Sequence, residues 1–314
     1  MVDLSRAISR IDAFQRRHRG PAFVVAVLKK FGDDQGGNLS ALITYYGFVS
    51  LFPLLLVFVT VLGYVLQGNP TLQHDLVNSA VADFPIIGDQ ITKNVGSIQG
   101  SGLALLIGVL GALYGGLGIA NAAQDAMNRV WEVPMRARPG FGPRLARSLT
   151  IVAVLGIGII ATTVLGGIGG GGSGLALWER SLVLVAGFLV NIALFAWAYR
   201  VLTASDLGWG VVAPGAVIAA AGWGVMQAIG GTLVSHQLRG ASALYGVFAI
   251  VLGLLAWIFI QARIFVYAAE VNAVRANHLW PRSLAAPPFT DADRRAYRAY
   301  TRVEERVHPP AELS

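Results

Sequence analysis

Enzymatic chemistry needs nucleophiles, acid–base pairs or metal ligands at workable spacings, and this chain offers few of them. It has no cysteine, which excludes disulfides, thiolate metal sites and a cysteine nucleophile. Its five histidines, His18, His74, His236, His278 and His308, fall at neither HxxxH nor HExxH spacing, so no zinc site is expected. No GxSxG elbow, Walker A loop or paired-carboxylate signature occurs, which argues against a hydrolase or an ATP-driven pump. No catalytic residue, metal ligand or cofactor is therefore expected, and the chain does not read as an enzyme. The chemically informative residues are the polar ones inside long apolar stretches. They are Tyr46, Ser50, Asn191, Tyr245, Gln261, Arg263 and Glu270, joined by Pro53, which shares the face of the first two. Polar and ionisable groups are costly in hydrocarbon, so these are the candidates for a pathway or substrate contact.

Each has a plainer reading beside the functional one. Tyr46, Ser50 and Pro53 follow i, i+4, i+7 spacing and share a helix face. That face is either the polar wall of a substrate path or a kinked surface packed on neighbouring helices. Pro53 removes a backbone donor and crowds the carbonyl of Val49, so a kink is expected. Ser50 is placed to hydrogen-bond back by one turn. Arg263, Tyr267 and Glu270 repeat the i, i+4, i+7 spacing. Either they belong to a polar pathway, or Arg263 snorkels to the headgroups and Glu270 already lies in water. Asn191 and Gln261 fit interhelical hydrogen bonding as well as a substrate role.

These residues must be positioned by membrane helices. Leu42–Leu66 holds 25 residues without a charge, and at about 1.5 Å per residue it crosses a hydrocarbon core about 30 Å thick. Hydrophobic residues make up 55% of the chain and charged ones 13%, against about 25% charged in soluble domains. Further spans are expected at Leu103–Ala120, Leu149–Leu165, Leu182–Thr203, Val211–Val234 and Leu244–Ala269. In the second of the six, Gly108, Gly111, Gly115 and Gly118 share a face that admits a neighbouring helix at backbone contact. Asn121, Gln124, Asp125, Asn128 and Arg129 continue that helix out of the membrane. Gly166–Gly174 reads as a flexible connection rather than a nucleotide loop, since no strand precedes it.

The ends are polar. Residues 1–37 form a basic amphipathic segment with Leu4, Ile8 and Ile11 at helical spacing, then Pro21 opening a second short helix. Such a segment suits the surface of an anionic leaflet. Residues 38–272 are the expected six-helix transmembrane domain and 273–314 a charged tail with a short helix around Asp291–Val307. No cleavable signal peptide is visible. The N-terminal segment, the second and fourth connections and the tail carry seven, five, one and seven Lys or Arg; the first, third and fifth connections carry one each. By the positive-inside rule both termini are then cytoplasmic. The net charge of +7 thus reads as membrane topology, not as a nucleic-acid footprint.

Three blocks resemble a known family. NLSALITYYGFVSLFPLLL (Asn38–Leu56), WAYRVLTASDLGWGVVAPGA (Trp197–Ala216) and ASALYGVFAIVLGLLAWIFI (Ala241–Ile260), the last followed by AAEVNA (Ala268–Ala273), are similar to the YihY/BrkB family of bacterial inner-membrane proteins. The resemblance covers Asn38 to Asn272 and departs at Thr203, where the family pattern has proline. It implies an all-α fold of six helices, cytoplasmic ends and a role in envelope integrity in the inner membrane. Handling or transport of a lipid or other amphiphile is the leading expectation. A non-transporting scaffold that recruits envelope partner proteins is the alternative, and the RNA processing suggested by the family's old ribonuclease label ranks last. Membrane lipids, a second copy of the chain or envelope proteins are the expected partners, and nucleic acid is not.

Overall fold

The computed structural model describes residues 2–65, 102–169, 176–237, 246–284 and 288–303. Their regular structure is helical, with no strand among the described residues. The helices are α1 (Val2–Arg17), α2 (Arg19–Asp33), α3 (Gly36–Val65), α4 (Gly102–Val130), α5 (Phe141–Gly169), α6 (Leu177–Leu202), α7 (Trp209–Gln237), α8 (Gly246–Ala276) and α9 (Asp291–Val303). The expected segment Gln67–Gly102 lies outside the described residues but for Gly102, and Tyr245 lies wholly outside them; of the expected flexible connection Gly166–Gly174, Gly166–Gly169 instead continue α5 as helix and the rest lies outside.

Among the described residues five helices are long and apolar enough to cross a membrane, through Leu106–Val130, Phe141–Gly158, Trp178–Leu202, Trp209–Ile229 and Val251–Ala276. Six were expected. The first expected span, Leu42–Leu66, lies in α3 up to Val65, where several side chains are outside the described residues; Leu66 itself is outside them. The apolar exteriors fit a hydrocarbon solvent: on α6, Trp178, Leu182, Val185 and Leu189 are all exposed, as only a non-aqueous surrounding tolerates over such a length.

The chain forms two compact units. Unit 1 comprises Met1–Ser40, Ala120–Ala221 and Arg263–Ser314; unit 2 comprises Ala41–Ile119 and Gly222–Ala262. In unit 2, α3 runs unbroken through Pro53, and Ser50 Oγ donates to the Gly47 carbonyl at 2.8 Å, one turn back as its position requires. The glycine face of α4 meets the Tyr46–Ser50–Pro53 face of α3. A Cβ built on Gly111 would lie 2.8 Å from the Pro53 ring, one on Gly108 would lie 3.0 Å from Val57, and those on Gly115 and Gly118 would overlap Ser50 and the Tyr46 ring. The two spacings read separately from the sequence are therefore two halves of one contact.

Unit 1 is built around α2. Ala26 and Val27 pack with Val274, Leu279 and Ala296, flanked by Phe23, Tyr267, Val271, Trp280 and Tyr300. One side of α2 is thus a protein core rather than a leaflet surface, while Val24 and Leu28 remain exposed. The polar end of α4 is also interior: Gln124 and Asn128 are buried. Gln124 Nε2 donates to Ser148 Oγ at 2.8 Å and Arg144 donates to Asn121 Oδ1 at 3.0 Å, joining α4 to α5. Asn128 Oδ1 accepts from the Ala204 amide at 2.8 Å just past α6. There Thr203 ends α6, its Oγ1 donating to the Tyr199 carbonyl at 2.7 Å; a proline at 203 could not make this bond.

Two blocks of the resemblance meet in the same unit. Asn272 Oδ1 accepts from the Gly215 amide at 2.7 Å and its Nδ2 donates to the Val212 carbonyl at 3.1 Å. This satisfies backbone groups beside Pro214, which interrupts the helix hydrogen bonding of α7. Gly215 is needed for that approach, since a Cβ there would collide with the Ala268 carbonyl and the Asn272 amide.

Candidate functional site

Charges buried among apolar helices are the groups most in need of explanation, because an unpaired ion in a low-dielectric interior is costly. In unit 1 they form two clusters on either side of α2. The helix carries Lys29, Lys30 and Asp33, and Asp34 is its C-cap, so each lysine has an acid four residues ahead, and adjacent helical residues point about 100° apart.

The first cluster is a densely paired clasp, in which Arg282 Nη1 and Ser283 Oγ are the buried atoms left without a hydrogen-bond partner. Arg282, with no exposed side-chain surface, pairs through Nε with Asp293 Oδ1 at 2.6 Å and through Nη2 with Asp33 Oδ2 at 2.9 Å. Lys29 Nζ reaches Asp293 Oδ1 at 3.2 Å and the Ser283 carbonyl at 2.7 Å. Asp293 Oδ2 accepts from the Ser283 and Thr290 amides, each at 3.0 Å, and from Thr290 Oγ1 at 2.8 Å. Burial opposes ionisation of Asp293, but the hydrogen bonds from Arg282, Thr290 and Ser283 outweigh it and hold the carboxyl well below the usual carboxylate range. Asp293 is also the N-terminal-turn acid of α9, where the helix dipole favours negative charge. The clasp ties Arg282, Ser283 and Asp293 of the tail to α2.

The second cluster is not satisfied. Lys30 Nζ lies 2.6 Å from Asp34 Oδ2, 3.1 Å from Glu132 Oε1 and 3.6 Å from Glu270 Oε2. Lys30 and Glu270 have no exposed side-chain surface and Asp34 has 1%. Neither oxygen of Glu270 receives a hydrogen bond, nor does Asp34 Oδ1, although the Asp34 and Glu270 carboxyls lie within hydrogen-bonding reach of each other. Burial pushes the Asp34 and Glu132 carboxyls above their ordinary range against the pull of Lys30. Burial also opposes the Lys30 charge, but Glu270, Asp34 and Glu132 more than reverse this and raise its affinity for the proton. Glu132 adopts a left-handed backbone with φ 53°, a conformation that non-glycine residues hold only when their surroundings demand it.

The cluster includes one residue singled out from sequence, Glu270, in a fully buried position instead of the aqueous one of its plainer reading. Its partners were missed. Lys30 counted only among the N-terminal topology charges and Glu132 was not singled out, although the i, i+4 pairs Lys29/Asp33 and Lys30/Asp34 beside an apolar face were a usable signal.

Arg263 is separated from Glu270 in environment. It is exposed, with its guanidinium 5.6 Å from the Phe31 ring centroid and 5.7 Å from that of Tyr267, rings that stack on each other at 3.7 Å. Its Nη2 reaches the Tyr267 hydroxyl at 3.5 Å. Asn191 Nδ2 donates within its own helix to the Gly187 carbonyl at 3.0 Å, and Gln261 is half-buried in unit 2. Tyr46, Ser50 and Pro53 sit against the α4 glycines. Among the described residues no group of three or more His, Cys, Asp or Glu is arranged to hold a metal ion.

A sequence model of the family described as "Virulence factor BrkB" matches residues 27–292, a range that contains α3 to α8 and the whole Lys30 cluster and stops one residue short of Asp293 in the Arg282 clasp. The inner membrane protein YhjD of Escherichia coli K12 is 23% identical over 269 residues, covering 79% of this chain and 79% of that protein. The putative ribonuclease-like protein YfkH of Bacillus subtilis 168 is 23% identical over 263 residues, covering 81% of this chain and 94% of its own length. No solved structure matches the chain.

Proposed function

The chain belongs to the BrkB family, and from that premise we propose that it is a six-span protein of the bacterial inner membrane, with both ends cytoplasmic, that handles or moves a lipid or another amphiphile. Arg263 carries the reading. It lies within the span Val251–Ala276, and both it and Ile260, one turn earlier, are exposed. A cation presented beside an exposed isoleucine on a membrane helix is matched to a ligand that is anionic at one end and apolar at the other. The Phe31–Tyr267 stack fixes the guanidinium in place, and arginine's planar fork suits a phosphate or carboxylate headgroup. No enzymatic step is part of this reading, and the ribonuclease-like label of YfkH is a statement about that protein.

A scaffold reading has one observation in its favour: Leu284, Phe289 and Tyr297 are exposed apolar groups on the folded tail, a surface a partner protein could cover. Liposomes containing purified protein separate the two. Fluorescent anionic lipid should cross leaflets faster with protein than without, and Arg263→Gln should abolish the gain while Arg263→Lys reduces it. Transfer equal to that of protein-free vesicles rejects the transport reading and leaves the scaffold.

A further inference from the structure

Charge counting in the Lys30 cluster leads to a ligand that no side chain supplies. Three carboxylates, Asp34, Glu132 and Glu270, face Lys30. Every element packed around them contributes its charge. From α4, Arg129 acts on Asp34. From the tail, Arg282 acts at longer range on Glu132 but is already committed to Asp33 and Asp293. From α9, Tyr300 places its ring 5.6 Å from Lys30 Nζ and its hydroxyl 3.4 Å from Asp33 Oδ2. Two cations, Lys30 and Arg129, therefore stand against three acids, one negative charge too many for a site closed to water.

The geometry shows where that charge is removed. Asp34 and Glu270 approach one another within hydrogen-bonding reach, and two ionised carboxylates have only acceptors to offer each other. The contact is favourable only if one of them carries a hydrogen, as in carboxyl pairs that share a single proton. Glu270 accepts no hydrogen bond from a donor among the described residues, and its pairing with Lys30 is long, at 3.6 Å.

We propose that Asp34 and Glu270 bind one proton between them at neutral pH, so that the Lys30 cluster is a proton-binding site. Loading adds one H⁺ to the pair and balances the cluster; unloading returns two carboxylates and releases one H⁺. The pair joins two elements distant in sequence, the end of α2 and the membrane helix α8. A motion that parted them or admitted water would therefore release the proton, and a change in proton supply would bias that motion. Such a site is what proton-driven movement of an amphiphile would use. The proton itself can be detected without any transport assay, so this inference and the proposed function fail separately.

Infrared spectroscopy of the purified full-length protein in detergent reads the C=O stretch of a protonated carboxyl. At pH 7 the wild type should show this band and lose it reversibly as the pH is raised. Asp34→Asn and Glu270→Gln, each close to the original in shape, should each remove the band, because the remaining acid then ionises against Lys30. Absence of the band in the wild type at pH 7 overturns the proposal even if no variant folds. Its persistence in either folded pair variant also overturns it, since the proton would then sit elsewhere.

Discussion

In unit 2 the contact between α3 and α4 is made by four glycines lying against Tyr46, Ser50, Pro53 and Val57, and its described residues include no Asp, Glu, Lys or Arg. In unit 1, α2 meets α8 through Lys30 and Glu270 and the tail through Asp33 with Arg282 and Lys29 with Asp293, and every ion pair found among the described residues belongs to that unit. The difference follows from what each solvent environment makes cheap. In hydrocarbon there is little hydrophobic gain on helix association, so close van der Waals approach through small residues is the available adhesive. Where helices leave the apolar run, charges become affordable, but once buried they hold only as a set, and removing one member strands the others.

The largest effect should come from breaking the charge-held unit at its hub. Lys30→Met leaves Asp34, Glu132 and Glu270 facing one another without their ammonium. Stranding a single buried partner typically costs about 3–5 kcal/mol, and here three are stranded. Thermal melting in detergent at pH 7 should show a large loss of stability or no folded protein, and acidification should recover part of it by protonating the carboxylates. A variant that melts like the wild type at pH 7 would mean that the cluster is open to water. Arg282→Gln should cost a similar amount without rescue by acid, because its partner Asp293 is held ionised by other donors as well.

In the shape-held unit the corresponding test is steric. Gly111→Leu and Gly115→Leu drive a side chain into Pro53 and Ser50, and overpacking costs about 1–3 kcal/mol where neighbours can give. The loss should be independent of pH, in contrast to Lys30→Met. Equal melting of both variants and the parent would place that glycine face against lipid.

Much of this contrast was legible in the sequence, and the part that was not has a physical reason. Long uncharged runs announce membrane helices because length and apolarity are local properties, and the i, i+4, i+7 and glycine spacings announce faces for the same reason. Which face meets which is a property of the fold, so the pairing of Tyr46, Ser50 and Pro53 with Gly118, Gly115 and Gly111 had to be seen. The charge cluster was hidden more deeply. Counting Lys and Arg by connection treats every charge as solvated, and Lys30 and Arg282 were counted that way although neither has exposed side-chain surface. Glu132 is 102 positions from Lys30 and Glu270 is 240 positions away, so no periodicity could link them. Tyr267, read only as a member of the Arg263 face, gained its role from Phe31, which arrives from another element.

The two charge clusters of unit 1 should also respond oppositely to pH. Asp34 and Glu132 have folded-state proton affinities raised by burial, so the folded state binds protons more readily than the unfolded chain there. Their contribution to stability grows as pH falls from neutral toward the ordinary carboxylate value of about 4. Asp293 is depressed, so its contribution is complete above about 4 and disappears below it. Lys30 is raised, and its contribution is complete throughout this range and is lost only in strong alkali. Wild-type melting temperature should therefore rise on mild acidification from pH 8 and fall below about pH 4. A monotonic fall from pH 8 downward would mean that the Lys30 carboxylates titrate like surface groups.

The smallest expected effect is also the sharpest test of the cluster's state. Glu270→Gln replaces a carboxyl by an amide of nearly the same shape. If Glu270 and Asp34 share a proton at pH 7, the wild-type pair already carries only one negative charge, and the amide supplies the donor that the proton supplied. Asp34 then ionises beside Lys30 and Arg129, and stability at pH 7 should change by no more than about 1 kcal/mol, the scale of one exchanged hydrogen bond. The difference between the states should appear in the slope, since the variant has no shared proton to gain or lose and the rise on mild acidification should flatten. If instead all three acids were ionised in the wild type, the same substitution would remove one of three mutually repelling charges. The protein would then gain stability at pH 7 by clearly more than that. Melting Glu270→Gln at pH 7 and across the acid side thus distinguishes a protonated pair from three ionised carboxylates with a single conservative change.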